Sequence, residues 1–160
     1  MTRPIRLSAK EKERIQRVLT TLEAHHPNAT TELNFGSPFQ LLIAVILSAQ
    51  CTDKRVNMVT EGLFARYPDA KAMARLSEEE LLQEIKSINF APTKAKNIWK
   101  TLRILLEQHG GEVPSSREDL EALPGVGRKT ANVVLATAFD VPALAVDTHV
   151  FRVSNRLGLA

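Results

Sequence analysis

Residues 39–49 limit the possible folds more than any other segment, because their side chains are apolar on nearly every side. They include an unbroken apolar run of seven residues, from Leu41 to Leu47. Ser37 and Pro38 precede the run, and a serine followed by proline is a typical helix start. A membrane-spanning helix needs about 20 apolar residues, so this segment is too short to cross a bilayer. The pattern predicts a central helix that other elements surround.

The rest of the chain has helical periodicity and no clear strand pattern, since its β-branched residues lie within helical patterns. Capping side chains mark the helix starts, because they accept hydrogen bonds from the first free backbone N–H groups. The expected caps are Ser8, Ser37, Asp53, Asp69, Ser77, Ser115 and Asp147. Residues 93–109 form the clearest amphipathic helix, with a turn at 89–92 before it and Gly110-Gly111 after it. The sequence predicts an all-α fold of about nine short helices.

The single cysteine, Cys51, excludes several kinds of site. One cysteine cannot form an internal disulfide or a four-cysteine metal or iron–sulfur site, so we expect no metal site within the chain. We interpret Cys51 as a small buried residue. Residues 1–25 are charged and lack the apolar centre of a signal peptide. We therefore expect a cytoplasmic protein without a membrane segment.

The net charge of +3 is too small to indicate a partner by itself, but the charges are unevenly distributed. Residues 3–17 hold six basic and two acidic side chains. Residues 94–103 hold basic side chains and no acid; these are Lys94, Lys96, Lys100 and Arg103. This distribution permits a face that meets nucleic-acid phosphates, and it equally permits ordinary solvated helix faces.

The most informative stretch is residues 120–131, which read Leu-Glu-Ala-Leu-Pro-Gly-Val-Gly-Arg-Lys-Thr-Ala. A tight Gly-x-Gly turn here joins two short helices, because glycine allows positive φ and close approach of another group. The second helix begins at the turn, so its unpaired N–H groups and positive dipole end form an anion site suited to a DNA phosphate. Taken alone, the same turn could be a plain connection between helices.

This motif, together with Val146-Asp147-Thr148-His149, resembles the endonuclease III family of DNA glycosylases/AP lyases, in the helix-hairpin-helix glycosylase superfamily. Residues 31–35, 47–53 and 103–109 match the family as well. The resemblance covers residues 8–158. It implies a helix-hairpin-helix DNA glycosylase fold: a six-helix barrel domain at 30–141, with the hairpin at about 115–139. Residues 1–29 and 142–160 would be the N-terminal helix and the truncated start of a second helical domain.

The resemblance implies that Lys129 is the nucleophile and Asp147 its carboxylate partner. A neutral lysine amine would attack the sugar C1′, expel the damaged base and form a Schiff base, and loss of a C2′ proton would then cleave the strand. Asp147 would stabilise the positive charge on the sugar and shuttle protons. The alternatives are that Lys129 is a solvated lysine and that Asp147 only caps the last helix. His149 would orient Asp147 or serve packing.

The resemblance also implies which residues contact DNA. The hairpin residues are Pro124, Gly125, Val126, Gly127, Arg128 and Thr130. Because a base must leave the duplex to react, side chains must fill the gap. Gln50 would be the plug on one side, and Phe90 stands where the family usually has a leucine wedge. The alternative for Phe90 is a core aromatic at a turn. Asn89 and Ala91-Pro92 depart from the family pattern, so the wedge geometry is open.

Family members usually carry a [4Fe–4S] cluster on four cysteines that this chain does not contain, so we expect no cofactor bound by this chain and a fragment of a longer gene product. The apolar face of Ile15, Val18, Leu19 and Leu22 would then be partly exposed. The expected function is base excision repair: a monomeric bifunctional glycosylase that acts on oxidised pyrimidines and abasic sites in double-stranded DNA. The alternative is a non-catalytic or crippled DNA-binding helix-hairpin-helix fragment.

Overall fold

The computed structural model describes residues 6–160, in which all regular structure is helical. The helices are α1 (Ala9–His25), α2 (Pro38–Ser48), α3 (Asp53–Arg66), α4 (Ala70–Met73), α5 (Glu78–Glu84), α6 (Ala91–Gln108), α7 (Arg117–Glu121), α8 (Arg128–Ala138) and α9 (Thr148–Arg156). The prediction of an all-α chain with about nine helices is confirmed for these residues. No helix among them is long and apolar enough to cross a membrane.

The predicted helix starts are mostly confirmed, because they depend on local capping. The capping boxes of Ser8 and Ser77 are both formed, and Asp69 caps α4. Two predictions are wrong by one residue. Thr52 caps α3 and places Asp53 in the first turn, where its carboxylate still favours the helix dipole. The Oγ of Ser116, not of Ser115, accepts from the Asp119 N–H at 3.1 Å.

The start of α6 also differs from the prediction, since the helix begins at Ala91 and includes part of the expected turn. Pro92 fits the first turn of the helix because a proline loses no hydrogen bond there. At the other end, both Gly110 and Gly111 have positive φ, and the Gly111 N–H donates to the Leu105 carbonyl at 2.8 Å. This closes the helix as predicted.

The chain divides into two compact units, of which the larger is Glu32–Ala145. Helix α2 is its centre and packs against α3, α6 and α8. Residues of α2 that are completely buried include Leu41, Leu42, Ile43, Ala44 and Leu47. The prediction of a central buried helix is confirmed. Burying these side chains is the main stabilising contribution of α2, and it fixes the end of α2 within the unit.

Among the described residues, the smaller unit contains residues 6–31, together with Val146–Ala160. Its helices are α1 and α9, and neither contains a buried residue. The guanidinium of Arg14 donates to the carbonyls of Leu157 and Gly158. Leu19 and Leu22 are 48% and 40% exposed, as expected for an apolar face that is only partly covered.

Candidate active site

The predicted hairpin is formed by α7, a turn and α8. The large apolar residues of the turn are buried, whereas the glycines and Arg128 are exposed. Leu123 and Val126 are buried, and the Val126 N–H donates to the Leu123 carbonyl at 3.1 Å. Gly125, Gly127 and Arg128 are exposed, whereas Pro124 and Thr130 are half-buried. The buried residues anchor the turn in the core, so the glycines present bare backbone at the surface.

Two side chains of helix α6 contact the hairpin turn. Thr101 is completely buried, and its hydroxyl donates to the Pro124 carbonyl at 3.1 Å. One turn earlier in α6, the side chain of Asn97 packs against Gly125. A Cβ on Gly125 would lie 3.1 Å from the Asn97 Cβ and 3.2 Å from its Nδ2. Gly125 also has a φ of +80°, so both backbone conformation and close packing favour glycine there.

Replacing Gly125 with alanine should therefore destabilise the fold by about 1–3 kcal/mol, from backbone strain plus the contact with Asn97. Gly110→Ala is the matched control, because Gly110 has a φ of +62° but nothing within 4 Å of the added Cβ. Its cost should be about 1 kcal/mol, from backbone strain alone. Urea unfolding of both variants measures the difference, and equal losses would contradict a role for the Asn97 contact.

The N-terminus of α8 is open to the surface. Gly127 occupies the N-cap position and no side chain caps the helix. The first backbone N–H groups of an α-helix have no partner within the helix, and its dipole is positive at this end. An added Cβ on Gly127 would meet nothing within 4 Å. This end of α8 therefore has room and donors for an anion.

Lys129 and Asp147 belong to different units of the structure. Lys129 lies in the first turn of α8 in the larger unit and is exposed. Asp147 belongs to the smaller unit, is half-buried and caps α9, where one carboxylate oxygen accepts from the Val150 N–H at 2.8 Å. The capping role of Asp147 is therefore present. A carboxylate that caps a helix keeps its negative charge, so capping and a catalytic role are compatible.

The two expected gap-filling residues have an unusual backbone conformation. Gln50 and Phe90 have φ values of +52° and +59°, which are rare for residues other than glycine. Both are exposed, and Phe90 is 62% exposed, so its interpretation as a core aromatic is wrong. The side-chain amide of Asn89 donates to the Gln50 carbonyl at 2.7 Å. This hydrogen bond ties the two segments together.

Lys94 does not belong to the basic surface with which its charge grouped it. Lys94 is only 6% exposed, and its ammonium donates to the carbonyls of Leu47 at 2.8 Å and Ala49 at 2.6 Å. Burial lowers the pKa of Lys94, while the nearby Cys51 acts in the opposite direction. A signal was available, because Lys94 lies four residues before Ile98, on the buried face of α6.

The rest of the basic cluster stays at the surface. Lys96 and Lys100 are exposed, and the guanidinium of Arg103 stacks over the ring of Trp99, 4.6 Å from its centroid. Cys51 is half-buried and packs against the core, so it is less buried than expected. His149 is exposed, and its Nδ1 lies 3.5 Å from a guanidinium nitrogen of Arg152.

The residues present do not fit the iron–sulfur cluster that the family resemblance implies. Within residues 6–160, no group of three or more His, Cys, Asp or Glu side chains could hold a metal ion. The chain has one cysteine, whereas the cluster of the resembled family requires four.

Comparison with known proteins agrees with the hairpin motif. Residues 43–160 match the family described as HhH-GPD superfamily base excision DNA repair protein. Endonuclease III of Escherichia coli is 59% identical over 143 residues, which are 89% of this chain and 68% of the relative. Two solved structures, a non-covalent endonuclease III–DNA complex and a trapped endonuclease III–DNA covalent intermediate, each have a TM-score of 0.87 and 50% identity. Each comparison covers 97% of this chain and 71% of the solved chain.

These similarities confirm the predicted fold class, because the matched region contains the whole hairpin and most of the helices. The match to the relative exceeds half of either chain, and its identity is far above the level at which only the fold is shared. The chain therefore belongs to the endonuclease III family, within the HhH-GPD superfamily of base excision DNA repair proteins.

Proposed function

We propose that this chain is a bifunctional DNA glycosylase that removes oxidised pyrimidines from double-stranded DNA and then cleaves the abasic site by β-elimination. The observation that carries this proposal is the position of Lys129, an exposed amine in the first turn of an uncapped helix. A phosphate bound at that helix end would hold the DNA backbone beside the nucleophile. The solved endonuclease III structures, which include a complex with DNA and a covalent intermediate, support this interpretation.

The hairpin would bind the DNA backbone without reading the sequence. Backbone N–H groups at the start of α8 would donate to one phosphate, and the guanidinium of Arg128 would add positive charge. Contacts of this kind fix the position of the enzyme and carry no base specificity. The buried side chain of Val126 and the Thr101 bond to Pro124 keep this surface rigid.

Lys129 and Asp147 would perform the chemistry. The Nζ of Lys129 forms a bond to C1′ as the bond from C1′ to the damaged base breaks, and the base leaves with a proton. The C1′–O4′ bond of this adduct then opens, O4′ takes up a proton, and the nitrogen forms the C=N bond of the Schiff base. The Schiff base acidifies the C2′ hydrogen, and loss of that proton forms a C2′–C3′ double bond as the C3′–O bond to the 3′ phosphate breaks. Asp147 would stabilise positive charge on the sugar and accept or return protons. Its hydrogen bond to the Val150 N–H would fix the direction of the carboxylate.

Extrusion of the damaged base costs a few kcal/mol, and residues that enter the duplex offset this cost. Gln50 and Phe90 suit this role, because both are exposed and lie on segments joined by the Asn89 hydrogen bond. A phenylalanine wedge is broader than leucine and would stack on a neighbouring base.

We also propose a division of the chain into two helical domains. We assign the six-helix barrel of the family to residues 30–141, and we assign α1 and α9 to a second helical domain within residues 1–29 and 142–160. We further propose that the protein acts as a monomer in the cytoplasm. Sedimentation at the concentrations used for activity measures the oligomeric state.

Replacing Gly127 with serine should weaken DNA binding while slightly stabilising the fold. The backbone of Gly127 is extended, with φ −91° and ψ 179°, which is the conformation of a serine N-cap. A serine hydroxyl would accept from an N–H of α8, which adds a few tenths of a kcal/mol to the free energy of unfolding and takes a donor from the phosphate. Fluorescence anisotropy should show a Kd raised by about threefold or more. Unchanged affinity would contradict a phosphate site at this helix end.

Duplex DNA with one thymine glycol tests the proposed reaction, because release of the base and cleavage of the strand can be followed separately. We expect free base and a β-elimination product with the damaged duplex, and neither with an undamaged control. The alternative, a DNA-binding module without chemistry, has a specific observation in its favour: the hairpin and the uncapped start of α8 lie entirely within the larger unit. It predicts salt-dependent binding of the damaged duplex with no base release.

A further inference from the structure

The buried ammonium of Lys94 closes the C-terminal end of α2. The last four carbonyls of an α-helix lack partners within the helix, and a cation near them is favourable. Lys94 satisfies the carbonyls of Leu47 and Ala49, which lie on either side of the last residue of α2. A lysine is costly to bury unless its charge is hydrogen-bonded, so this arrangement is a specific feature of the fold.

The residue that follows these carbonyls is Gln50, in the left-handed conformation. A residue other than glycine persists in this conformation only where its surroundings determine the backbone. Lys94 holds the chain immediately before Gln50, and the Asn89 amide holds the Gln50 carbonyl itself. Lys94 lies in the first turns of α6, and Asn89 lies two residues before the helix begins. Neither bond involves the hairpin.

The same stretch of α6 sets the position of Phe90. Phe90 is the N-cap residue of α6, again left-handed, and it directly follows Asn89. Ala91, the next residue, is buried and anchors the start of the helix. Asn89 and Lys94 thus flank Phe90 in sequence, and they bind the carbonyls of Gln50 and Ala49, respectively. The backbones that carry the two exposed side chains are held in one fixed geometry.

We propose that Lys94 and Asn89 are positioning residues for base extrusion, because they lock Gln50 and Phe90 together as one gap-filling device. This inference rests on the proposed function, in which these two side chains enter the duplex. It assigns no contact with DNA to Lys94 or Asn89. Their loss should slow extrusion more than it weakens binding, since the hairpin phosphate site remains intact.

The test uses a duplex with thymine glycol beside 2-aminopurine, whose fluorescence rises when it is unstacked. All proteins carry Lys129→Ala, so that no chemistry consumes the substrate. Lys94→Met removes the ammonium and keeps the apolar stem, and Asn89→Ala removes the amide. The controls are Lys71→Met, which makes the same charge change at an exposed lysine of α4, and Ser87→Ala at an exposed polar residue two positions before Asn89.

We expect Lys94→Met to slow the fluorescence rise by about tenfold and Asn89→Ala by about threefold, while the Kd measured by anisotropy changes by less than about threefold. The controls should match the parent protein. Lys94→Arg should recover part of the rate, because a guanidinium can still donate to both carbonyls. An extrusion rate unchanged in Lys94→Met and Asn89→Ala would overturn the proposal, and so would a loss of affinity equal to the loss of rate.

Two further readouts keep the result clear. Circular dichroism and thermal unfolding show whether Lys94→Met is folded, and the exposed side chain of Asn89 provides a variant that leaves the core untouched. Failure of the proposed function gives a different pattern. Extrusion would then depend on Lys94 and Asn89 as expected, while the chain with Lys129 intact would release no base.

Discussion

Lys129→Ala should abolish the covalent protein–DNA band that borohydride traps on a duplex with one abasic site. Borohydride reduces a Schiff base to a stable amine, so the band reports directly on a nucleophilic amine. Alanine cannot form that bond, and strand cleavage should fall by about a thousandfold or more. The measurement is denaturing gel electrophoresis of the trapped complex, with the unchanged chain run beside the variant.

Lys129→Ala should remove the chemistry while it leaves DNA binding nearly intact, and this difference is specific to a nucleophile. The backbone N–H groups at the start of α8 remain in Lys129→Ala, so affinity for an uncleavable abasic analogue should stay within about fivefold. Lys71→Ala removes an exposed lysine elsewhere and should keep the band. A band that survives in Lys129→Ala would assign the nucleophile to another amine. Absence of any band from the folded, unchanged chain would favour the DNA-binding alternative.

The helices of this fold were predictable because their determinants are local. A serine or aspartate cap, the spacing of a capping box and an apolar face are all visible within a few residues of sequence. The apolar segment that became α2 identified the centre of the larger unit without any tertiary information. The errors at Asp53 and Ser115 are shifts of one residue, where two adjacent polar side chains compete for the same cap.

The tertiary role of Lys94 was not predictable in the same way. Its charge placed it with Lys96 and Lys100, and the helical pattern alone does not say what lies opposite the buried face of α6. The buried ammonium is tolerated because it donates to carbonyls at the C-terminal end of α2. Those carbonyls lie about 45 residues earlier in the sequence. The left-handed conformation of Phe90 likewise comes from the junction of two packed helices.

The hairpin was predictable from its glycines, whereas the proposed catalytic pair was not predictable from any local pattern. The spacing of Gly125 and Gly127 predicted the turn and the uncapped start of α8. The pairing of Lys129 with Asp147 came from resemblance to the family, since 18 residues of sequence separate them and no local pattern connects them. Experiment must therefore separate the proposed chemical role of Asp147 from its observed role as a helix cap.

Asp147→Asn separates the two roles, because asparagine caps helices about as well as aspartate but carries no charge. We expect α9 to keep its N-cap, since the side-chain oxygen can still accept from the Val150 N–H. Base release should fall by about a hundredfold to ten-thousandfold, as when a general acid–base group is removed. Single-turnover kinetics on thymine glycol duplex measures this loss.

The matched control is Asp69→Asn, which makes the same change at the cap of α4, where the carboxylate accepts from the Ala72 N–H at 2.7 Å. It should leave both stability and base release unchanged. Asp147→Ala should lose the cap as well, at a cost of about 1 kcal/mol in stability, with base release no faster than in Asp147→Asn. If Asp147→Asn keeps the rate of the unchanged chain, the negative charge of Asp147 is not needed for base release. If instead Asp147→Asn loses base release as expected, the carboxylate is needed for the chemistry, and its hydrogen bond to α9 holds it in place.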